Sequence, residues 1–465
     1  MSSAPPQRRR PDADRGRSRF VDHDRIVGHG RRRLRRDALG IAAAALAAVD
    51  PARMLRDLLL LEDDTLHIGG EPVTLAGRDV FVVGAGKATI GMAAVLDELL
   101  GARITDGAVV VKRGQARPLR HIEVIESSHP VPDATSLAGG HRLLEIARRA
   151  SPRDLVLAVV TGGSSSLAVV PAPGISLEEK ILVNRLLLAS GADIVSINKV
   201  RKHISAIKGG LLATACGCEI VNFSVSDVVR DPPDYFTDLT VPDGSTFAMA
   251  RDVCDRYDLW EKLPRSVAER LRRADPARET PKDIAAVTTF VVASSTMLCA
   301  AAAAEAARRG YPTTVLTLEL EGEARAAGRW LVDRLNEAGG AAALIAGGEN
   351  TVTLPGSSVR AGAQAGGPSQ EAALAAAVRL ADGGPACVLC MDSDGSDGPT
   401  DAAGGLVDDL TAGEARERGL DLEAALTSHA SHECLRTLGG LVVSGPTGTN
   451  VNDLKIALRP SGNTR

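Results

Sequence analysis

At 465 residues the chain is long enough for two or three domains with sizeable cores. Its formal net charge of −4 is unevenly spread: residues 1–38 hold 12 Arg and 5 Asp, or +7, which leaves −4 − 7 = −11 for the remainder. An acidic folded part with only 2% aromatic residues offers neither a phosphate-tracking surface nor stacking platforms, which argues against a nucleic-acid partner.

Residues 1–37, rich in Arg, Asp, Pro and Gly, read as a disordered basic tail. Arg31–Arg36 followed by the alanine-rich stretch 38–49 mimics a twin-arginine signal. That stretch is weakly apolar and falls short of the ~20 residues of a spanning helix, so a cytoplasmic protein without membrane contact is expected. Residues 37–61 follow a helical pattern. Alternation then begins, with strands at 79–83, 107–112, 122–126 and 155–160 and helices reaching Leu100, over 136–150 and over 177–191. The stretch 274–282, with Pro276 and Pro281, reads as a linker. A second series follows: strands at 290–293, 313–318, 341–345 and 386–391, and helices at 295–309, 321–338 and 371–381. This rhythm predicts an α/β protein of two Rossmann-like α/β/α domains with mostly parallel sheets, a large one at 38–275 and a smaller one at 276–458, with 459–465 as a tail.

The seven cysteines are odd in number and dispersed, so no disulfide framework is expected. Cys387 and Cys390 form a C-x-x-C inside an apolar run, and no second pair completes a zinc site.

Several polar motifs fall behind apolar strands. Gly84-Ala85-Gly86-Lys87 joins a strand to a helix, where backbone N–H groups and a lysine can meet an anion. It is neither a Walker A loop nor a dinucleotide fingerprint, and the same residues also fit a tight turn with an exposed lysine. Gly162-Gly163-Ser164-Ser165-Ser166 suits a carboxylate or phosphate, or simply a flexible turn. Arg201, Lys202 and Lys208 concentrate positive charge in an acidic chain, as an anionic substrate or a solvated helix face would require. Asp392, Asp394, Asp397 and Asp401 follow a strand. Ala403 stands where a calcium loop needs its closing Glu, so Mg²⁺ arriving with a nucleotide suits these oxygens better; an Asp/Gly turn is the alternative. Glu349 follows Gly347-Gly348 at another strand end, and Asn450 lies in a Gly/Thr/Asn loop.

Together, Gly84–Ala88, Ser128-His129-Pro130-Val131-Pro132-Asp133, Val200–Gly210, Gly395–Gly404 and Gly445–Leu454 resemble the glycerate 2-kinase family over about residues 38–458. Some members carry the name hydroxypyruvate reductase. The resemblance implies an active site in the cleft between the domains, ATP with Mg²⁺, and transfer of a phosphoryl group to the secondary hydroxyl of D-glycerate. It implies that Lys87 neutralises transferring charge and that Ser164, Ser165, Ser166, Arg201, Lys202 and Lys208 hold the small anionic substrate. It further implies that Glu349, Asp394 and Asp397 face the metal or the hydroxyl. Gly84, Gly86, Gly162, Gly163, Gln370 and Asn450 complete the nucleotide side. A homodimer is compatible with this reading. The chain departs from the family pattern at Pro368-Ser369-Gln370-Glu371, where Arg-Asn-Gln-Glu is usual, and at Arg230, a candidate substrate-binding residue where glycine is usual. Arg360, in the loop before Pro368, is the candidate replacement. The departures leave open a different hydroxylated acceptor or an inactive nucleotide-binding relative; an NAD(P)-linked reductase lacks its G-x-G-x-x-G.

Overall fold

The fold is described from a computed structural model covering residues 19–226, 239–354, 366–381 and 383–461. Three short strands come first: β1 (Leu59–Glu62), β2 (Thr65–Ile68) and β3 (Glu71–Thr74) form an antiparallel meander. The continuous helical pattern expected over 37–61 is broken at Asp50-Pro51. Pro51 occupies the first turn of a new helix, Pro51–Leu58, and Asp50 caps it by accepting from the N–H groups of Ala52 and Arg53.

The six strands β4 (Val80–Ala85), β5 (Ile104–Lys112), β6 (Glu123–Ser127), β7 (Leu155–Val160), β8 (Glu219–Val225) and β9 (Val287–Ala293) form an all-parallel sheet in the order β6-β5-β4-β7-β8-β9. β4 and β7 are buried along their whole length, as their unbroken apolar sequences demand of strands covered on both faces. Val80 and Val82 join one core, and Phe81 and Val83 the other.

β10 (Thr313–Thr317), β11 (Ala342–Gly348), β12 (Cys387–Asp392), β13 (Gly404–Asp408), β14 (Leu441–Val442) and β15 (Asp453–Arg459) form the second sheet, in the order β10-β11-β15-β12-β13-β14. The α/β class therefore holds, but parallel pairing in this sheet is confined to β10 and β11. β15 returns between β11 and β12 antiparallel to both.

Two expected boundaries move. The stretch 274–282 is bound to the first domain rather than linking two: Thr280 donates to Asp243, and Glu279 pairs with His203 at 2.7 Å. β9 then pairs with β8, so the first sheet closes only at Ala293, beyond the expected division at 275/276. At the other end, the expected tail is folded from residue 19. The helix Arg32–Ala48 lies against the second sheet and the helix Ser295–Arg308. Arg35 is buried there, donating to Asp408 at 2.6 Å, and Arg31 pairs with Asp409. Residues 1–18 of the expected tail lie outside the described residues. One apolar cluster runs from a face of the first sheet through these helices to a face of the second, so the domains share a core.

All seven cysteines are free and buried, as the dispersed spacing implied. Among the described residues no single helix is long and apolar enough to cross a membrane.

Candidate active site between the two sheets

The chain leaves β4 toward β5 on one side, while β7 lies on the other. The carboxyl ends of β4 and β7 thus form a switch point, where parallel sheets open a crevice. Two turns meet there. The Lys87 N–H donates to the Gly162 carbonyl (2.9 Å), the Thr161 N–H to the Ala85 carbonyl (3.0 Å), and the Ala88 N–H to Thr161 Oγ1 (3.1 Å). Gly86 sits at φ 143°, and a Cβ there would lie 2.0 Å from Thr161 Oγ1, so only glycine lets the turns close this tightly. Gly84 has a different reason: a Cβ would strike Val159, so its smallness serves strand packing.

Across the cleft, β15 begins where β11 and β12 end, and Asp392 sits opposite Asp453. This edge gathers Glu349, the loop 392–398 and the loop carrying Asn450. The last two interlock: Thr447 donates its N–H to the Asp394 carbonyl, and Val451 donates to Ser393 Oγ at 2.8 Å. Glu349 is solvent-exposed and Asn450 half-buried.

Lys87 Nζ joins the two edges by donating to Asp394 Oδ2 at 2.9 Å. His129, two residues beyond β6, reaches the same place. The position a Gly163 Cβ would occupy is 3.3 Å from His129 Nε2 and 3.2 Å from Lys87 Cγ. Burial, with Lys87 and Lys112 close by, pushes the His129 imidazole down to about 4 against the opposing pull of Asp394. Burial and the Asp394 and Asp453 charges raise Asp392 well above the usual carboxylate range.

Ser165 Oγ accepts from Arg201 Nη2 at 2.9 Å, which brings the expected serine turn and cationic helix together. Ser164 and Ser166 are buried beneath the turn, and Ser166 Oγ donates to the Gly163 carbonyl. The end of the helix Ile194–His203, which carries Arg201, is held by side-chain cations that offset its unpaired carbonyls. Lys180 Nζ donates to the carbonyls of Arg201 (3.4 Å) and Ile204 (3.2 Å), and Arg270 donates to that of His203. Burial, with Arg201 and Arg270 nearby, pushes Lys180 down to about 7.

Four expected roles are corrected. Asp397 does not face a metal or a hydroxyl. Its Oδ1 accepts from the Ser369 N–H (3.0 Å) and its Oδ2 from the Gln370 N–H (2.7 Å) and Nε2 (3.0 Å), so it caps the helix Pro368–Leu380. Burial nevertheless pushes it up to about 7 against those donors. Gln370 is buried, and its side chain is taken up by Asp397, Thr400 and His432. Lys202 is spent on a buried ion pair with Asp243 at 2.9 Å. Lys208 is fully buried. Arg230 and Arg360 lie outside the described residues.

The sequence reading gave no role to His129 or Lys180, and placed Asp392 only within the acidic cluster suited to Mg²⁺. His129 was detectable, since it follows a strand on the same carboxyl edge as the glycine turns.

Comparison with known proteins places this architecture. Residues 37–272 match the family described as a domain of unknown function, DUF4147, and residues 342–453 match the MOFRL family. A glycerate 2-kinase of Pyrococcus horikoshii is 40% identical over 436 residues, covering 91% of this chain and 97% of that one. A protein of Agrobacterium vitis bearing the name hydroxypyruvate reductase is 38% identical over 396 residues, covering 82% of this chain and 87% of that one. The crystal structure of a Thermotoga maritima glycerate kinase superposes with a TM-score of 0.79 at 34% identity, covering 91% of this chain and 99% of that one. With domains, order and fold in common over nearly its whole length, the chain belongs to the glycerate kinase family.

Proposed function

We propose that this protein is an ATP-dependent kinase that phosphorylates the secondary hydroxyl of D-glycerate, giving 2-phosphoglycerate and ADP. The observation that carries the reading is the Lys87–Asp394 pair, which sets a cation and a carboxylate face to face across a cleft walled by glycine turns. Phosphoryl transfer depends chiefly on positioning and on stabilising spread negative charge. Lys87 supplies that charge once the phosphates displace Asp394. The Gly162-Gly163 turn supplies close backbone approach, and Arg201 with Ser165 receives the acceptor's carboxylate. Glu349 and Asn450 border the nucleotide from the second sheet.

Among the described residues no three His, Cys, Asp or Glu side chains are gathered to hold an ion. A Mg²⁺ ion carried in on phosphate oxygens needs only one or two carboxylates. Asp394, with Asp392 behind it, fits that demand. The ion would neutralise the β- and γ-phosphate oxygens there. The reading carries with it a cytoplasmic location, small anions as the partners, and a homodimer as the assembly to look for by sedimentation.

The test is ADP release from ATP–Mg²⁺ with D-glycerate and a panel of other hydroxy acids. Release with D-glycerate supports the proposal, release only with another acid reassigns the acceptor, and nicotinamide oxidation with hydroxypyruvate instead overturns the kinase reading.

A further inference from the structure

The reaction releases a proton from the acceptor hydroxyl, and the Asp394 and Asp397 carboxylates are committed elsewhere. Asp394 is paired with Lys87 on one oxygen and accepts from Ser396 on the other. Asp397 is saturated by the start of the helix Pro368–Leu380. His129 differs, because neither ring nitrogen has a hydrogen-bond partner among the described residues. Its Nε2 and the Lys87 side chain both border the position a Gly163 Cβ would occupy, where the transferring group would lie.

The segment that carries His129 is fixed at both ends. Ser127 Oγ bonds Ser136 Oγ (2.8 Å) and donates to the Leu167 carbonyl (2.9 Å), while Asp133 caps the helix Ala134–Arg149. We infer that His129 is a catalytic residue that accepts the proton of the acceptor hydroxyl. This inference rests on the kinase reading above. In the step, the acceptor O–H bond breaks and its electron pair forms the new O–P bond to the γ-phosphorus. The bond from that phosphorus to the bridging oxygen breaks, and its pair leaves on ADP. The proton passes to His129 Nε2 and then to solvent.

The charged groups facing the imidazole are Lys87, Lys112 and Asp394. Burial, with the two lysines close by, keeps the free enzyme's imidazole neutral and weakly basic. Nucleotide phosphates in the cleft would offset that positive charge and strengthen the base when the donor is in place.

The test compares wild type with His129→Ala and His129→Gln, using the acceptor on which the wild type releases ADP. The wild-type rate reports on the kinase reading, and the ratio of rates reports on His129. Both variants should lose at least ~100-fold in kcat with KM for ATP–Mg²⁺ little changed. Added imidazole should restore part of the His129→Ala rate. A loss below about threefold, or a large loss that imidazole cannot restore, would overturn the role. Independently, the ¹⁵N titration of His129 should move to higher pH when a non-hydrolysable ATP analogue and Mg²⁺ are added. An unmoved midpoint, with binding of the analogue verified, would overturn the coupling.

Discussion

Lys87, on the turn after β4, and Asp394, on the turn after β12, meet at 2.9 Å although 307 residues separate them. Neither turn is a site alone. One offers a cation and close backbone, the other carboxylates, and the shared core behind them sets the edges face to face.

On the kinase reading proposed above, Asp394→Asn should weaken ATP–Mg²⁺ binding and lower kcat together, because one carboxylate would both position Lys87 and meet the ion. Steady-state kinetics across a Mg²⁺ series would check this. A variant with wild-type kcat and unaltered Mg²⁺ dependence would remove Asp394 from the account.

Gly86→Ala should destabilise the fold by more than ~1 kcal/mol, since alanine must adopt a positive φ and drive its Cβ into Thr161. The urea midpoint measures the effect. By contrast Gly77, also at positive φ but with open space around it, should tolerate alanine with a smaller loss.

Arg35→Met should cost about 3–5 kcal/mol, because it strands the buried Asp408 carboxylate without its partner. Arg35 holds Asp408 below the usual carboxylate range against burial, which opposes it more strongly than any single other influence. This contribution is present above pH ~4 and is lost as pH falls through the depressed folded value. Thermal melts of the variant should therefore converge on those of the wild type in acid. A melt that shifts by less than a degree at pH 7 would contradict the assignment.

Lys180 gives the opposite slope. Its folded value of about 7 lies below the ordinary lysine range, so the unfolded chain binds the extra proton between pH 7 and ~10.5. Stability should rise with pH across that window, and Lys180→Met should flatten the rise. Urea unfolding of both proteins at pH 7 and 9 would show it; equal slopes would place Lys180 outside the buried, proton-shedding group.

Much of this site was legible in the sequence for a physical reason. Strands buried on both faces read as unbroken apolar runs, and polar residues directly behind them mark the carboxyl edge, as with Lys87, Gly162 and Asp394. What failed lacked that contrast. β1 to β3 are four-residue, partly exposed strands, and the leucines of β1 merged with the helical pattern before them. Arg35 looks like its neighbours in an arginine run; only its partner 373 residues away sets it apart. Asp394 and Asp397 are alike in sequence, and the helix start at Ser369 and Gln370 alone decides that one faces the cleft and the other caps a helix.

The most direct measurement is the turnover of Lys87→Ala with ATP–Mg²⁺ and D-glycerate, with folding verified by its unfolding midpoint. The account predicts a fall of at least ~100-fold in kcat, because Lys87 is the cation held at the centre of the cleft. A folded variant that turns over at the wild-type rate would contradict it.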